Sequence, residues 1–206
     1  MKIIEIQDTM LGIAPIERDP ASILNRLSHV EMYLSSIEKM PIRRRCEWLS
    51  VRLLIREILG EEKEILYREN GKPYIADGSY NISISHTKGY VAVILNPQKR
   101  VAIDIETISP RVKNVMHRFM SNEELENTPL TGEIVYWLLH WSAKESVFKY
   151  IDESGVDFRE HIYIAPFKPL QGEWGIFHAQ ETKTAIRETF AINYYIADDF
   201  VLTAIG

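Results

Sequence analysis

The sequence predicts an α+β fold built from two similar α/β halves related by a pseudo-twofold axis. Each half is a helix packed on a small, mostly antiparallel sheet, with a cleft between the halves. Three observations predict this. A long helical pattern followed by a run of short strands occurs twice. Within each run the connections are short turns, which join antiparallel neighbours. The length of 206 residues suits two units of about 100 residues each. The halves share no appreciable identity, so the division into 1–103 and 104–206 rests on the order of elements alone.

The N-terminal half opens with an edge strand, "KIIEI", and a loop. A helical stretch then covers residues 20–39. A second begins near Pro41, runs through "IRRRCEWLSVRLLIREIL" and stops at Gly60, with proline at the start and glycine just past the end. Four strands follow, "KPYIA", "YNISIS", "YVAVIL" and "RVAIDIE". They are rich in β-branched residues, are separated by "ADGS", "HTKG" and "NPQK", and read as one meander. The C-terminal half repeats the order. A helix over residues 132–151 precedes the strands "HIYIAP", "EWGIFHA", "FAINYYIA" and "FVLTAIG".

Composition narrows the function classes. Hydrophobic residues make up 46% and charged residues 26%, the balance of a soluble globular chain. A net charge of −5 gives no global attraction to nucleic acid, so an anionic ligand needs a local basic cluster. Cys46 is the one cysteine and has no internal disulfide partner. That points to a reducing, cytoplasmic setting. No apolar run approaches the roughly 18 residues of a membrane span, and the first residues do not read as a signal peptide. A chain that already contains two similar halves is expected to act as a monomer.

Four stretches carry chemistry. In "VAIDIE" (101–106) alternation puts Asp104 and Glu106 on one face, about 6.6 Å apart along the strand, and Val101, Ile103 and Ile105 on the other. Two like charges this close repel unless a cation joins them, and Mg²⁺ takes carboxylate oxygens. A strand with one solvated face is the plainer alternative. In "WSAKESVFK", placed on a helix, Leu138, Trp141 and Phe148 form an apolar stripe. Glu145 falls in its middle, Lys144 on its edge and Lys149 just outside. A glutamate inside an aromatic stripe points to a cation or a site, whereas a lysine there can snorkel.

In "NISISHTKGY", Ser83 and Ser85 share one face, and Ile82, Ile84 and His86 the other. Ser85 and His86 are adjacent and point apart, which disfavours a Ser–His nucleophile pair. They can present a hydroxyl and an imidazole to a phosphate, or simply end a hairpin. On the basic helix, Arg45, Arg52 and Arg56 line one side. Arg43 and Arg44 extend the patch to the N-terminal end, and Lys72 sits in the turn of "ENGKPY". Such clusters recognise phosphate, although any one member can be a solvated charge.

Taken in order, "GKP", "SISH", "VAIDIE", "RFMSNEE" and "WSAKESVFK", spread over residues 71–149, resemble the 4′-phosphopantetheinyl transferases of the surfactin-synthetase type. The resemblance implies transfer of the phosphopantetheine arm of coenzyme A to a serine of an acyl or peptidyl carrier protein, with release of adenosine 3′,5′-bisphosphate. It implies Mg²⁺ or Mn²⁺ held by Asp104, Glu106 and Glu145, and Lys149 near the transferred phosphate. His86 and Ser85 would contact phosphate, and Gly71, Lys72 and Pro73 would surround the nucleotide. The basic helix would hold the 3′-phosphate, Arg45 first and Arg52 second. Glu124 matches the acidic position after the first metal motif. Glu145, one helical turn from Lys149, is the candidate base for the serine proton. The compact "ENTPLTGE" departs from longer relatives in a region that docks the carrier. Two alternatives remain open at this point: a non-catalytic coenzyme A or carrier-binding module, and a Mg²⁺-dependent phosphohydrolase.

Overall fold

Three arginines in a row open the longest helix of the first half, and what packs around that helix organises the whole N-terminal part of the chain. The computed structural model describes residues 1–6 and 8–206. The chain divides into two compact units, Met1–Val101 and Ala102–Gly206, each made from one unbroken run of sequence.

In the first unit the elements are β1 (Lys2–Ile6), β2 (Thr9–Pro15), α1 (Pro20–Leu24), α2 (Val30–Ile37) and α3 (Ile42–Leu59). Next come β3 (Ile65–Tyr67), β4 (Pro73–Ile75), β5 (Asn81–Thr87) and β6 (Tyr90–Asn96). A four-stranded antiparallel sheet runs β1-β2-β6-β5, and β3 pairs with β4 in a separate two-stranded sheet. Helix α3 is a wedge between two apolar layers. Val51, Leu54 and Ile55 meet Ile82, Val91, Val93 and Leu95 of the sheet. Leu49 and Leu53 meet Ile23, Leu24, Tyr33 and Ile37 of the short helices and Leu27 between them. Gly60, in the left-handed region at φ 73°, ends α3 as its position in the sequence requires.

Two expectations change here. The helix over residues 20–39 is broken into α1 and α2. Asp19 caps α1, accepting from the N–H groups of Ala21 and Ser22. After Leu24 the chain turns because Glu62 captures it. Glu62 accepts the backbone N–H of Ser28 and of His29, the His29 imidazole at 2.8 Å and the Tyr33 hydroxyl at 2.9 Å. Burial pushes the Glu62 carboxyl up, but these donors outweigh it and hold it at about 2. A local helix loses to side-chain bonds of this strength.

The meander also breaks. β4 stays with β3, and β7 (Ala102–Thr107) belongs to the other unit's sheet. A strand absent from the expected set, β2, fills the interior instead. Its Gly12 makes this possible. A Cβ there would stand 2.7 Å from Ile58 Cδ1 and 2.9 Å from Leu54 Cδ1, so glycine lets α3 lie close on the sheet.

The second unit begins with β7 and continues through α4 (Asn122–Glu126), α5 (Glu133–Ile151), α6 (Phe158–His161), β8 (Ile162–Ile164), β9 (Trp174–Glu181), β10 (Thr189–Ile196) and β11 (Phe200–Ile205). Its five-stranded antiparallel sheet runs β7-β11-β10-β9-β8. Helix α5 lies on β7 and β11, over a core that includes Tyr136, Leu139, Val147, Phe177, Phe190 and Tyr194. Each unit is thus a helix on an antiparallel sheet, the α+β class expected. Among the described residues no helix is long and apolar enough to cross a membrane.

Candidate functional site

Alternation along β7 places the carboxylates as the sequence predicts. Ile103 and Ile105 are buried on one face, and Asp104 and Glu106 point the other way, towards α5. Register with β11 sets Asp104 opposite Thr203 and Glu106 opposite Val201. Thr203 in turn meets α5. Its hydroxyl lies 2.9 Å from Ser142 Oγ and 2.8 Å from Ser146 Oγ, and all three residues are buried.

This contact rotates α5 away from the stripe expected of it. Ser142, Ala143, Ser146 and Val147 form the buried side, while Phe148 is 38% exposed and Trp141, Glu145 and Lys149 are half-buried. Of the residues read as a core stripe, Leu138 is buried in the core, whereas Trp141 and Phe148 lie along the more open side of the helix with Glu145 and Lys149. Lys144 is not at an edge; it is completely buried.

On that open side the polar groups are linked. Lys149 Nζ donates to Asp104 Oδ1 at 2.7 Å and to the Ile103 carbonyl at 3.0 Å. Trp141 Nε1 donates to Glu106 Oε1 at 2.8 Å. Burial and then the charge of Asp104 push the Glu106 carboxyl up to about 7, against the Trp141 N–H. The same two causes raise Glu145, with Lys149 opposing. Three carboxylates thus share one electrostatic neighbourhood with one ammonium.

Their chemistry suits a hard divalent cation, since all donors are oxygens and the negative charge is under-compensated. As they stand they do not form a ready coordination shell. Among the described residues no three histidine, cysteine, aspartate or glutamate side chains are grouped so as to hold an ion, and Asp104 is engaged by Lys149.

Beneath this cluster lies a polar hub that the sequence marks only in part. Lys144 Nζ donates to Glu124 Oε2 at 2.7 Å and to the carbonyls of Phe119 and Phe158 at 2.8 and 2.9 Å. Glu124 also closes a capping box with Ser121 and accepts the Ile164 N–H at 2.8 Å. Every charge and every bond of the pair is satisfied within the core. The acidic position after the first motif is accordingly the buried partner of Lys144.

The first unit holds a separate candidate, a pocket of about 200 Å³ lined by Arg44, Glu47, Trp48, Arg52, Tyr67, Gly71, Pro73 and His86. Arg52 is its buried cation. The guanidinium lies 3.0 Å from the Trp48 ring centroid, donates to the Trp48 carbonyl at 3.0 Å and bonds Tyr67. Burial pulls it down to about 10, and no carboxylate among the described residues pairs with it. Glu47 faces Arg43 Nε at 2.9 Å, Arg44 at 3.5 Å and His86 Nε2 at 3.5 Å.

The expected basic stripe is divided in use. Arg45 donates to the carbonyls of Glu38 and Met40 at 2.6 and 2.7 Å, closing the end of α2, and does not line the pocket. Arg56 pairs with Glu57. Gly71 and Pro73 line the pocket; Lys72 belongs to the same turn, its backbone N–H bonded to Asn70. Ser85 and Ser83 are buried rather than solvated, and His86 is exposed. Glu47, Trp48, Val51 and Tyr67 are the pocket members missed. The signal for Trp48 was present, since an aromatic residue four positions before an arginine on a helix can carry it as a cation–π partner.

Comparison with known proteins bears on this arrangement. The model of the 4′-phosphopantetheinyl transferase superfamily matches residues 100–204, just over half of the chain. Over 113 residues, 52% of this chain, it is 30% identical to a protein named 4′-phosphopantetheinyl transferase AcpT from Salmonella typhi and 29% identical to the one from Escherichia coli strain K12. The matched part spans 58% and 57% of the length of those relatives. The matched segment contains the whole strand–helix cluster of Asp104, Glu106, Trp141, Glu145 and Lys149, and on this extent of agreement the chain belongs to the 4′-phosphopantetheinyl transferase superfamily.

Proposed function

We propose that this chain transfers the 4′-phosphopantetheine arm of coenzyme A to a serine of an acyl or peptidyl carrier protein, releasing adenosine 3′,5′-bisphosphate. The reading includes the surfactin-synthetase type, and a division into two helix-on-sheet units supports it. The observation that carries the function is the convergence of Asp104, Glu106, Glu145 and Lys149 at one strand–helix junction inside the segment matched to the family.

The residues have distinct tasks. Lys149 brings an ammonium to developing phosphoryl charge. Glu145, raised by burial, is a better proton acceptor than an exposed glutamate and takes the serine proton. Asp104, Glu106 and Glu145 would hold Mg²⁺ or Mn²⁺. A divalent cation supplies charge neutralisation on the pyrophosphate oxygens. In the first unit, the anionic adenosine end of coenzyme A is assigned to the pocket of Arg44, Arg52 and His86, with Gly71 and Pro73 in its wall. Arg52 replaces Arg45 as the leading anchor, because Arg45 is committed to backbone carbonyls.

The test is incubation of the purified chain with coenzyme A, Mg²⁺ and a panel of apo carriers, read by intact mass. Addition of one phosphopantetheine per carrier is expected, and its absence from every carrier overturns the function. Arg52→Met should weaken coenzyme A more than dephospho-coenzyme A. Equal weakening would remove Arg52 from the 3′-phosphate.

A further inference from the structure

Trp141 stands one helical turn before Glu145 and is only partly covered. Its indole N–H donates to Glu106 Oε1 at 2.8 Å. Two phenyl rings brace the indole, Phe119 with its centroid at 5.1 Å and Phe158 at 5.6 Å. These are the same two residues whose backbone carbonyls accept from Lys144 Nζ. Lys144 itself is locked on Glu124 in the core. The buried ion pair therefore grips the backbone of the two residues whose rings grip the indole.

We infer that Trp141 is a positioning residue whose N–H fixes the Glu106 carboxylate, inside an aromatic clamp that the Lys144–Glu124 pair keeps closed. The inference rests on the proposed role of Glu106 as a ligand to the divalent cation. A free glutamate must lose rotamer freedom when it binds an ion. One already bonded through one oxygen has lost much of it and keeps its second oxygen directed. Indole suits the task, because Nε1–H is a donor only and carries no charge, so it cannot compete for the cation. Groups that orient a metal ligand from behind typically contribute about 10–100-fold in metal affinity.

The experiment is direct titration of Mn²⁺ into the full chain with coenzyme A present, followed by electron paramagnetic resonance of the free ion. The variants are Trp141→Phe, Glu106→Gln and both together. Trp141→Phe keeps a ring between Phe119 and Phe158 but has no N–H. It should weaken Mn²⁺ about tenfold, with coenzyme A binding in the absence of metal unchanged. In the Glu106→Gln background it should weaken Mn²⁺ no further.

Should the smaller ring loosen the fold, benzothienylalanine at position 141, an isostere with sulfur in place of N–H, serves in the same titration. Wild-type Mn²⁺ affinity in either N–H-less variant overturns the inference. So does an equal loss in the Glu106→Gln background, which would make the tryptophan a packing residue. A wild-type chain that binds no Mn²⁺ with coenzyme A present overturns the proposed function instead.

Discussion

Replacing Lys144 by methionine keeps the bulk of the stem and removes the cation. In the native chain that cation makes three bonds, to Glu124 at 2.7 Å and to two carbonyls at 2.8 and 2.9 Å, with both side chains of the pair fully buried. The variant strands a carboxylate in the core. Breaking a buried pair by removing one partner costs about 3–5 kcal/mol. Glu124 keeps the N–H groups of Ser121 and Ile164, so the lower part of that range applies, about 3–4 kcal/mol. For a chain of this length each kcal/mol lowers the melting temperature by about 2–4 °C, so a drop of about 10 °C is expected.

Urea denaturation followed by circular dichroism, with a thermal melt beside it, measures the loss. The double variant Lys144→Met/Glu124→Gln removes both charges and leaves an acceptor for Ile164, so it should regain about 2 kcal/mol or more. A single variant losing under about 1 kcal/mol would refute the reasoning. So would a double variant whose losses simply add, since the two charges would then not be coupled.

Three other outcomes are expected. Glu62→Gln tests the clasp that breaks the first helix. Its folded carboxyl lies near 2, below the ordinary 4.5, so its contribution is complete above pH 4.5 and disappears as pH falls towards 2. At pH 7 the variant should be less stable by up to about 3 kcal/mol, and a urea midpoint difference that persists unchanged at pH 2.5 would contradict this. Gly175→Ala places a Cβ 2.3 Å from Tyr194 Cζ, whose hydroxyl is tied to Leu170 N and the Lys168 carbonyl. A loss of about 2–3 kcal/mol is expected, and an unchanged melting temperature would mean the strands shift freely. Lys149→Ala leaves Asp104 beside two other carboxylates. Because Lys149 is partly exposed, the cost is about 2 kcal/mol, and millimolar Mg²⁺ should raise the melting temperature of the variant more than that of the wild type. Equal responses to Mg²⁺ would separate Lys149 from the cation.

The two faces of β7 were legible because a strand has a fixed period and its isoleucines mark one face. The end of α3 and the start of α5 were legible because Gly60 and Gly132 stand there; α3 starts after Pro41, and α5 ends at Asp152, a non-glycine residue in the left-handed region. The face of α5 was not legible. A helix whose apolar residues are spread round most of its circumference, with Phe148 on the open side and Leu139 and Val147 in the core, carries no single apolar stripe. Its buried side is lined partly by Ser142, Ser146 and Lys144, whose partners Thr203 and Glu124 lie elsewhere in the sequence. The break between α1 and α2 depends on Glu62, more than thirty residues downstream, and no local pattern contains it. Among the arginines, spacing gave a common side of the helix but not the neighbours. Arg45 finds the end of α2, and Arg52 finds Trp48 and Tyr67.

The hydroxyl of Thr203 works as an angular datum. Apolar packing around α5 is nearly indifferent to rotation about the helix axis, because hydrophobic residues surround it. Two serines four positions apart remove that indifference, since only one orientation brings both onto a single threonine. A turn by one residue, about 100°, would seat other side chains there and swing Glu145 and Lys149 off the sheet's carboxylates. The same threonine lies directly across from Asp104 in the strand pairing. The helix and the strand that supply the acidic groups are therefore both indexed to one side chain. Thr203 thus relates Asp104 to Glu145 through a single residue, beside the direct Lys149–Asp104 and Trp141–Glu106 bonds, and positional error has little opportunity to accumulate between them.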